Sequence, residues 1–214
     1  MSYLRPTANR EIEQVIKKSL FIAQLAIVEN GVQANEFISQ IKKRHPKANH
    51  NCHCYIAGAP EQSSLWAYSD DGEPKGCAGL PMFQVIKHSG LGNLCIVVTR
   101  YFGGIKLGTG GMARAYSSTV NLVLDNIETI KVHPLREITL SIPFQQTGTI
   151  EHILATIDGI AVTSREWNTL GQQFRIEIEE PSVSNFVESL RPLLHLIEIT
   201  PPLTLLLKPT SNHC

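Results

Sequence analysis

The sequence predicts an α+β protein in two domains, 1–133 and 134–214, and three observations carry that expectation. The stretch LCIVVTRYFGGIKLGTGGMARAY, Leu94 to Tyr116, reads as a buried strand, a glycine loop and a helix in succession. Beyond Pro134 the apolar periodicities give the order β-α-β-β-α-β, the ferredoxin-like split motif. Charge also reverses between the halves. Residues 1–133 hold 14 Lys+Arg against 10 Asp+Glu, a surplus of +4, and residues 134–214 hold 5 against 9, a deficit of −4.

A chain of 214 residues with 43% hydrophobic content can build two cores. Its net charge of zero argues against a strong overall attraction to nucleic acid, and the basic surplus belongs to the half with the glycine loop. No apolar run is long enough to span a bilayer, and the opening residues MSYLRP lack a signal-peptide core, so a soluble, cytoplasmic protein is expected. Five cysteines, an odd number in apolar settings, point to reduced thiols.

Taken in order, Arg10 to Lys18 is ambiguous, with Ile12, Val15 and Ile16 at helical spacing ahead of a strand from Leu20 to Val28. Asn30-Gly31 signals a turn. Ala34 to Arg44 is an amphipathic helix with Phe37, Ile38 and Ile41 inward and a basic C-terminal end, stopped by Pro46. Ala48 to Ala57 is a strand with Cys52, Cys54 and Ile56 on one face. His50, Cys52 and Cys54 share a flat face and lack the C-x2-C turn that wraps a zinc, so core packing is preferred to a metal site.

Ala59 to Ser64 is a polar loop, and Tyr68 to Gly76 a tight turn rich in Asp, Gly and Pro. Gly79 to Ser89 is a helix that packs through Met82, Phe83, Val85 and Ile86, and Gly90 to Asn93 delivers the strand Leu94 to Thr99. The helix from Gly110 ends near Asn126, and Lys131 to Pro134 is the linker. The second domain has strands at Glu137–Ile142, Ile160–Trp167, Gln172–Ile178 and Leu193–Thr200. Its helices are Gln146–Ile157 and one opened by Pro181, and a tail follows from Pro201.

A glycine loop that opens a helix presents backbone N–H groups and a partial positive charge to an anion. Gly108 to Ala113 satisfies G-x-G-x-x-A, yet no acidic residue ends a second strand, since Asp125 and Glu128 fall in or at the end of the helix. A Walker A loop is excluded for want of Gly-Lys-Ser/Thr. The plainer alternative is that the glycines serve tight packing alone. Clustered basic residues favour the anion-facing reading, with a surface of Lys75, Arg100, Tyr101, Phe102, Gly103, Gly104, Lys106, Gly108, Thr109, Gly110, Gly111 and Arg114. Lys87 adds charge, and Tyr101 or Phe102 can stack on a base. The acidic turn Asp70, Asp71, Gly72, Glu73 fits either a divalent ion and proton transfer or its own wiring, with an aspartate capping N–H groups and Glu73 paired with Lys75 or Arg100. The second is expected, with no metal and no cofactor.

VVTRYFGGIKLGTGG, with SDDGEPKGCAGLPM upstream at Ser69 to Met82, resembles the signature of the IMPACT family in its bacterial YigZ-type branch. Ala48, His50 and Cys52 fit the family pattern, and His53 and Cys54 depart from it. The resemblance implies a strand at Arg10 to Lys18. It also implies a first domain, here expected to hold a mixed sheet with helices, like a ribosomal small-subunit protein's second domain and domain IV of elongation factor G. The second domain is then like domain V of that factor. RNA or ribosome binding follows as an implication, and eukaryotic members are linked to translation control through a stress-kinase pathway. Two other classes compete. One is an enzyme on a small phosphorylated ligand, against which no nucleophile–base pair is legible. The other is an adaptor whose protein partner meets the acidic second domain. A non-enzymatic RNA- or ribosome-binding protein is the expected reading.

Overall fold

The structure is a computed structural model, and residues 2–202 are described; the expected tail beyond Pro202 lies outside them. The described residues divide into two compact units, one spanning Tyr3–Val132 and one made of 133–202 together with Ser2.

In the first unit β1 (Tyr3–Pro6) precedes β2 (Arg10–Ile16) and β3 (Ser19–Ile27). The ambiguous segment is therefore a strand, its residues Ile12 and Ile16 packed on the core at period two. Then come α1 (Gly31–Arg44), β4 (His50–Ile56), β5 (Trp66–Ser69), α2 (Gly79–Ser89), β6 (Leu94–Tyr101), α3 (Thr109–Leu124) and β7 (Thr129–Val132). Asn30 is the N-cap of α1, its side chain accepting from the Gln33 N–H at 3.0 Å. The Asn-Gly pair read as a turn thus starts the helix.

The five-stranded sheet runs β2-β3-β6-β4-β5, and every recorded pairing is antiparallel. This corrects the expected mixed sheet. β6 lies between β3 and β4, so the two strands joined through α1 never pair directly, and α3 leads to β7 instead of back into the sheet. β1 and β7 form a separate antiparallel ribbon with Tyr3 opposite Val132. Lys131 and Val132, expected in the linker, belong to that ribbon.

Alternation sorts β6 between two cores. Leu94, Ile96 and Val98 pack with Phe21, Met82, Ile86, Tyr116 and Val120 beneath α2 and α3. Cys95 and Val97 pack with Ala34, Ile38 and Ile41 beneath α1. Burial on both faces explains why β6 reads as an unbroken apolar run.

The second unit contains β8 (Leu135–Pro143), α4 (Thr147–Thr156), β9 (Ile160–Trp167), β10 (Gly171–Glu179), α5 (Val183–Leu190) and β11 (Glu198–Thr200). Its sheet order is β11-β8-β10-β9, all antiparallel. The final strand is shorter than expected because Arg191–Leu193 forms a 3-10 turn, and Pro181 sits in another turn ahead of α5. Ile138, Leu140, Phe174, Ile176, Ile150 and Phe186 fill the core. Phe186 is fully buried, so Phe186→Ala should cost about 3–5 kcal/mol in equilibrium urea unfolding of this unit, and a cost under about 1 kcal/mol would contradict the packing described.

Candidate anion site at the start of the third helix

The end of β6 carries neighbours of opposite fate. Arg100 follows Ile96 and Val98 to the α3 face and is only 6% exposed. Tyr101 turns to the α1 side, where its hydroxyl lies 3.0 Å from His45 Nδ1. Tyr101 therefore leaves the expected surface, because adjacent residues of one strand cannot share a face.

Arg100 Nη1 donates to Glu73 Oε1 at 2.6 Å, and the Tyr116 hydroxyl donates to the same oxygen at 2.8 Å. Glu73 is itself 7% exposed. Arg100 packs beside the rings of Phe21 and Phe102, 5.4 and 5.6 Å from their centroids. This is the Glu73–Arg100 pairing expected of the acidic turn. Such a pair offsets a large desolvation cost, and stripping one partner from a buried pair typically costs about 3–5 kcal/mol. Burial is also the first cause that pushes the Tyr116 phenol far up, so it stays a donor.

The turn that delivers Glu73 is wired to its own chain. Asp70 accepts from the N–H groups of Gly76, Ala78 and Gly79 at 2.8, 3.0 and 2.9 Å, capping α2, whose own N-cap residue, Ala78, has no side-chain cap to offer. Asp71 accepts from the Asn51 N–H at 2.7 Å and pairs with Lys42 at 2.6 Å. Asp71 and Gly72 turn at φ of +42° and +87°, and the Asp71 carbonyl accepts from His50 Nδ1 at 2.9 Å. The Cys52 thiol, pushed up to about 12 by burial, donates to the Asp70 carbonyl.

The glycine stretch divides by role. At Gly103 a side chain would meet the Lys18 carbonyl oxygen at 1.9 Å, so this glycine serves close backbone packing. Gly104 and Gly108 take φ of +86° and +71°. Gly108 is the N-cap of α3 and offers no side-chain cap. Thr109, Gly110 and Gly111 are the first helical turn, one residue ahead of the expected start at Gly110. The first helical bond runs from the Met112 N–H to the Gly108 carbonyl at 2.9 Å, and the N–H groups of Thr109, Gly110 and Gly111 have no partner among the described residues.

That turn borders a cavity of about 430 Å³ with His50, Glu73, Arg100, Phe102 and Lys106 in its lining. Arg100 Nε is buried and unpartnered among the described residues. Lys106, Gly108, Thr109 and Gly110 are exposed. Arg114 does not share the cavity; one turn along α3 it borders a smaller one with Ile16 and Lys17. Lys75 is exposed in the acidic turn and outside the lining, and Lys87 lies over the Trp66 ring. The expected cluster of Arg100, Lys106 and Arg114 therefore contracts to Arg100 and Lys106.

His50 and Asn49 escaped sequence reasoning as parts of this site. His50 stands directly across from Arg100 in the β4–β6 register, and Asn49 Oδ1 accepts from the Phe102 N–H at 2.8 Å. A larger groove of about 1170 Å³ lies between α2 and α3, bordered by Val85, Ser117 and Leu122, without a buried charge.

Burial alone would raise the Asp70 carboxyl, but its three N–H partners outweigh that and hold its pKa below the ordinary 3.8. A depressed folded pKa gives stability that is complete above the unfolded value and lost as pH falls through the folded one. Asp70→Ala should cost about 1–2 kcal/mol at neutral pH by denaturant unfolding. The gap between wild type and variant should narrow as pH drops below 3.8. A gap that widens with acid would contradict this wiring.

Residues 17–124 match the Impact N-terminal domain family. The chain is similar to the IMPACT family member YigZ of Escherichia coli (strain K12), at 42% identity over 163 residues, 76% of this chain and 80% of that protein. It is similar to YvyE of Bacillus subtilis (strain 168) at 44% over 153 residues, 72% and 70% of the two chains. A crystal structure described only as that of a hypothetical protein superposes with a TM-score of 0.75 at 35% identity, over 92% of this chain and 96% of its own. The chain belongs to the IMPACT family.

Proposed function

We propose that this protein binds RNA, in a role tied to translation, by holding phosphate at the start of α3, and that it is not an enzyme. One observation carries the reading: Gly108 and Thr109, at the α3 start whose first three N–H groups are unpartnered among the described residues, border a cavity also lined by Lys106 and the buried Arg100. A helix N-terminus favours an anion through those N–H groups and its partial positive charge. Beside it, Arg100 Nε is a buried donor that no described residue satisfies.

The basic surplus of residues 1–133 agrees with a phosphate-facing first domain, and the acidic surplus of residues 134–214 leaves that domain for a protein contact. Domains parted at 133/134 belong to this reading. So do the kinship of the first domain with a ribosomal protein's second domain and of the second with ferredoxin-like folds, the setting being the cytoplasm and the ribosome. The acidic turn speaks against hydrolytic chemistry, since Asp70, Asp71 and Glu73 are each engaged by their own chain.

Gly110 gives a test in which stability and binding move in opposite directions. A side chain there meets open space, so Gly110→Glu should leave the fold intact and raise stability by about 1 kcal/mol through helix propensity and the helix dipole. The same carboxylate should abolish RNA binding. Wild-type affinity should fall with salt at a logarithmic slope of roughly −0.7 per phosphate on single strands, and Lys106→Ala should remove about one such contact. Unchanged binding in Gly110→Glu, or binding insensitive to salt, would overturn the proposal.

A further inference from the structure

The site is a cavity, and its shape and charge restrict what can enter. Arg100 and Glu73 cancel at 2.6 Å, so the net attraction comes from Lys106 and the α3 terminus. That balance suits one phosphate, not a run of them. The walls beyond the charges are apolar, including Leu107 and Pro74, and Phe102 beside them is 46% exposed. Deeper in, Glu73 Oε1 is taken by Arg100 and Tyr116, whereas Oε2 has only His50 Nε2 at 3.9 Å among the described residues. Oε2 thus retains acceptor capacity for a ring N–H or amino group.

From these groups we infer that the cavity takes a single unstacked nucleotide from a loop or end of RNA. This rests on the RNA-binding reading of the same site and narrows it. The phosphate lies at the first turn of α3 with Lys106, and the base enters over Phe102 towards Glu73 Oε2. A volume of about 430 Å³ falls in the range of small-ligand pockets. A duplex cannot present a base there, because its bases are stacked inside and its phosphates lie on a convex surface. Unpaired nucleotides can be splayed out, stacked on an aromatic ring and read along the base edge.

Fluorescence anisotropy tests this with a labelled twelve-nucleotide single-stranded RNA (about one OB-fold site in length) and a blunt duplex of the same sequence. The single strand should bind about tenfold tighter than the duplex. Phe102→Ala should weaken the single strand about tenfold and leave the duplex unchanged, and Phe102→Tyr should restore binding. Equal binding of both RNAs with no effect of Phe102→Ala overturns the nucleotide pocket but leaves the phosphate surface standing. Displacement of the RNA by free mononucleotide as effective as by unlabelled RNA overturns it differently, making the site one for a small metabolite. Binding of neither RNA removes the broader reading as well.

Discussion

A guanidinium held 6% exposed inside a core needs a counter-charge within contact distance, and Glu73 at 2.6 Å from Arg100 meets that need. The rest of the first unit is arranged around this pair. Arg100 closes the central strand, Glu73 leaves the turn after β5, Tyr116 supplies a hydroxyl from α3, and Phe21 supplies a ring from β3. Four separate stretches of chain meet at one ion pair. Glu73 reaches the core only because Asp70 ties the turn to the start of α2 and Asp71 ties it to β4 and α1. The acidic residues therefore work in series, two fixing the backbone and one carrying the buried charge.

The same constraint leaves a chemical opening. Glu73 engages one edge of the guanidinium, Nε remains without a partner, and the cavity beside it runs to the uncapped start of α3. A side-chain cap at position 108 would take one of those N–H groups, but φ there is +71°, which favours glycine over the usual capping residues. One cluster thus joins the neutralised charge that holds the fold to the uncapped start of α3.

Much of this was legible and some was not, for definite reasons. α2 was readable to the residue because helical spacing from Met82 to Ile86 is closed by Gly90 in the left-handed conformation. The pairing of Glu73 with Arg100 was readable as an option, since a charge ending a buried strand must find its opposite. The orientation of Tyr101 was missed because the strand was expected to end at Thr99. Two more residues of pleat place Arg100 and Tyr101 on opposite faces. The start of α3 at Gly110 was readable to within one residue; glycine's local preference against helix is overridden by the burial of Met112, Ala115 and Tyr116. The β1–β7 ribbon and the placement of His50 opposite Arg100 depend on register between distant segments, which no local pattern carries.

The central claim is that donors left over around the Arg100–Glu73 pair form the recognition surface, and NMR reads those donors directly. In a ¹⁵N-resolved titration with a short single-stranded RNA, the backbone amides of Thr109, Gly110 and Gly111 and the Arg100 Nε–H should show the largest shifts and move together to saturation. If those four signals stay fixed at saturation while shifts gather on the second unit, the α3 terminus is not the binding site and the account fails.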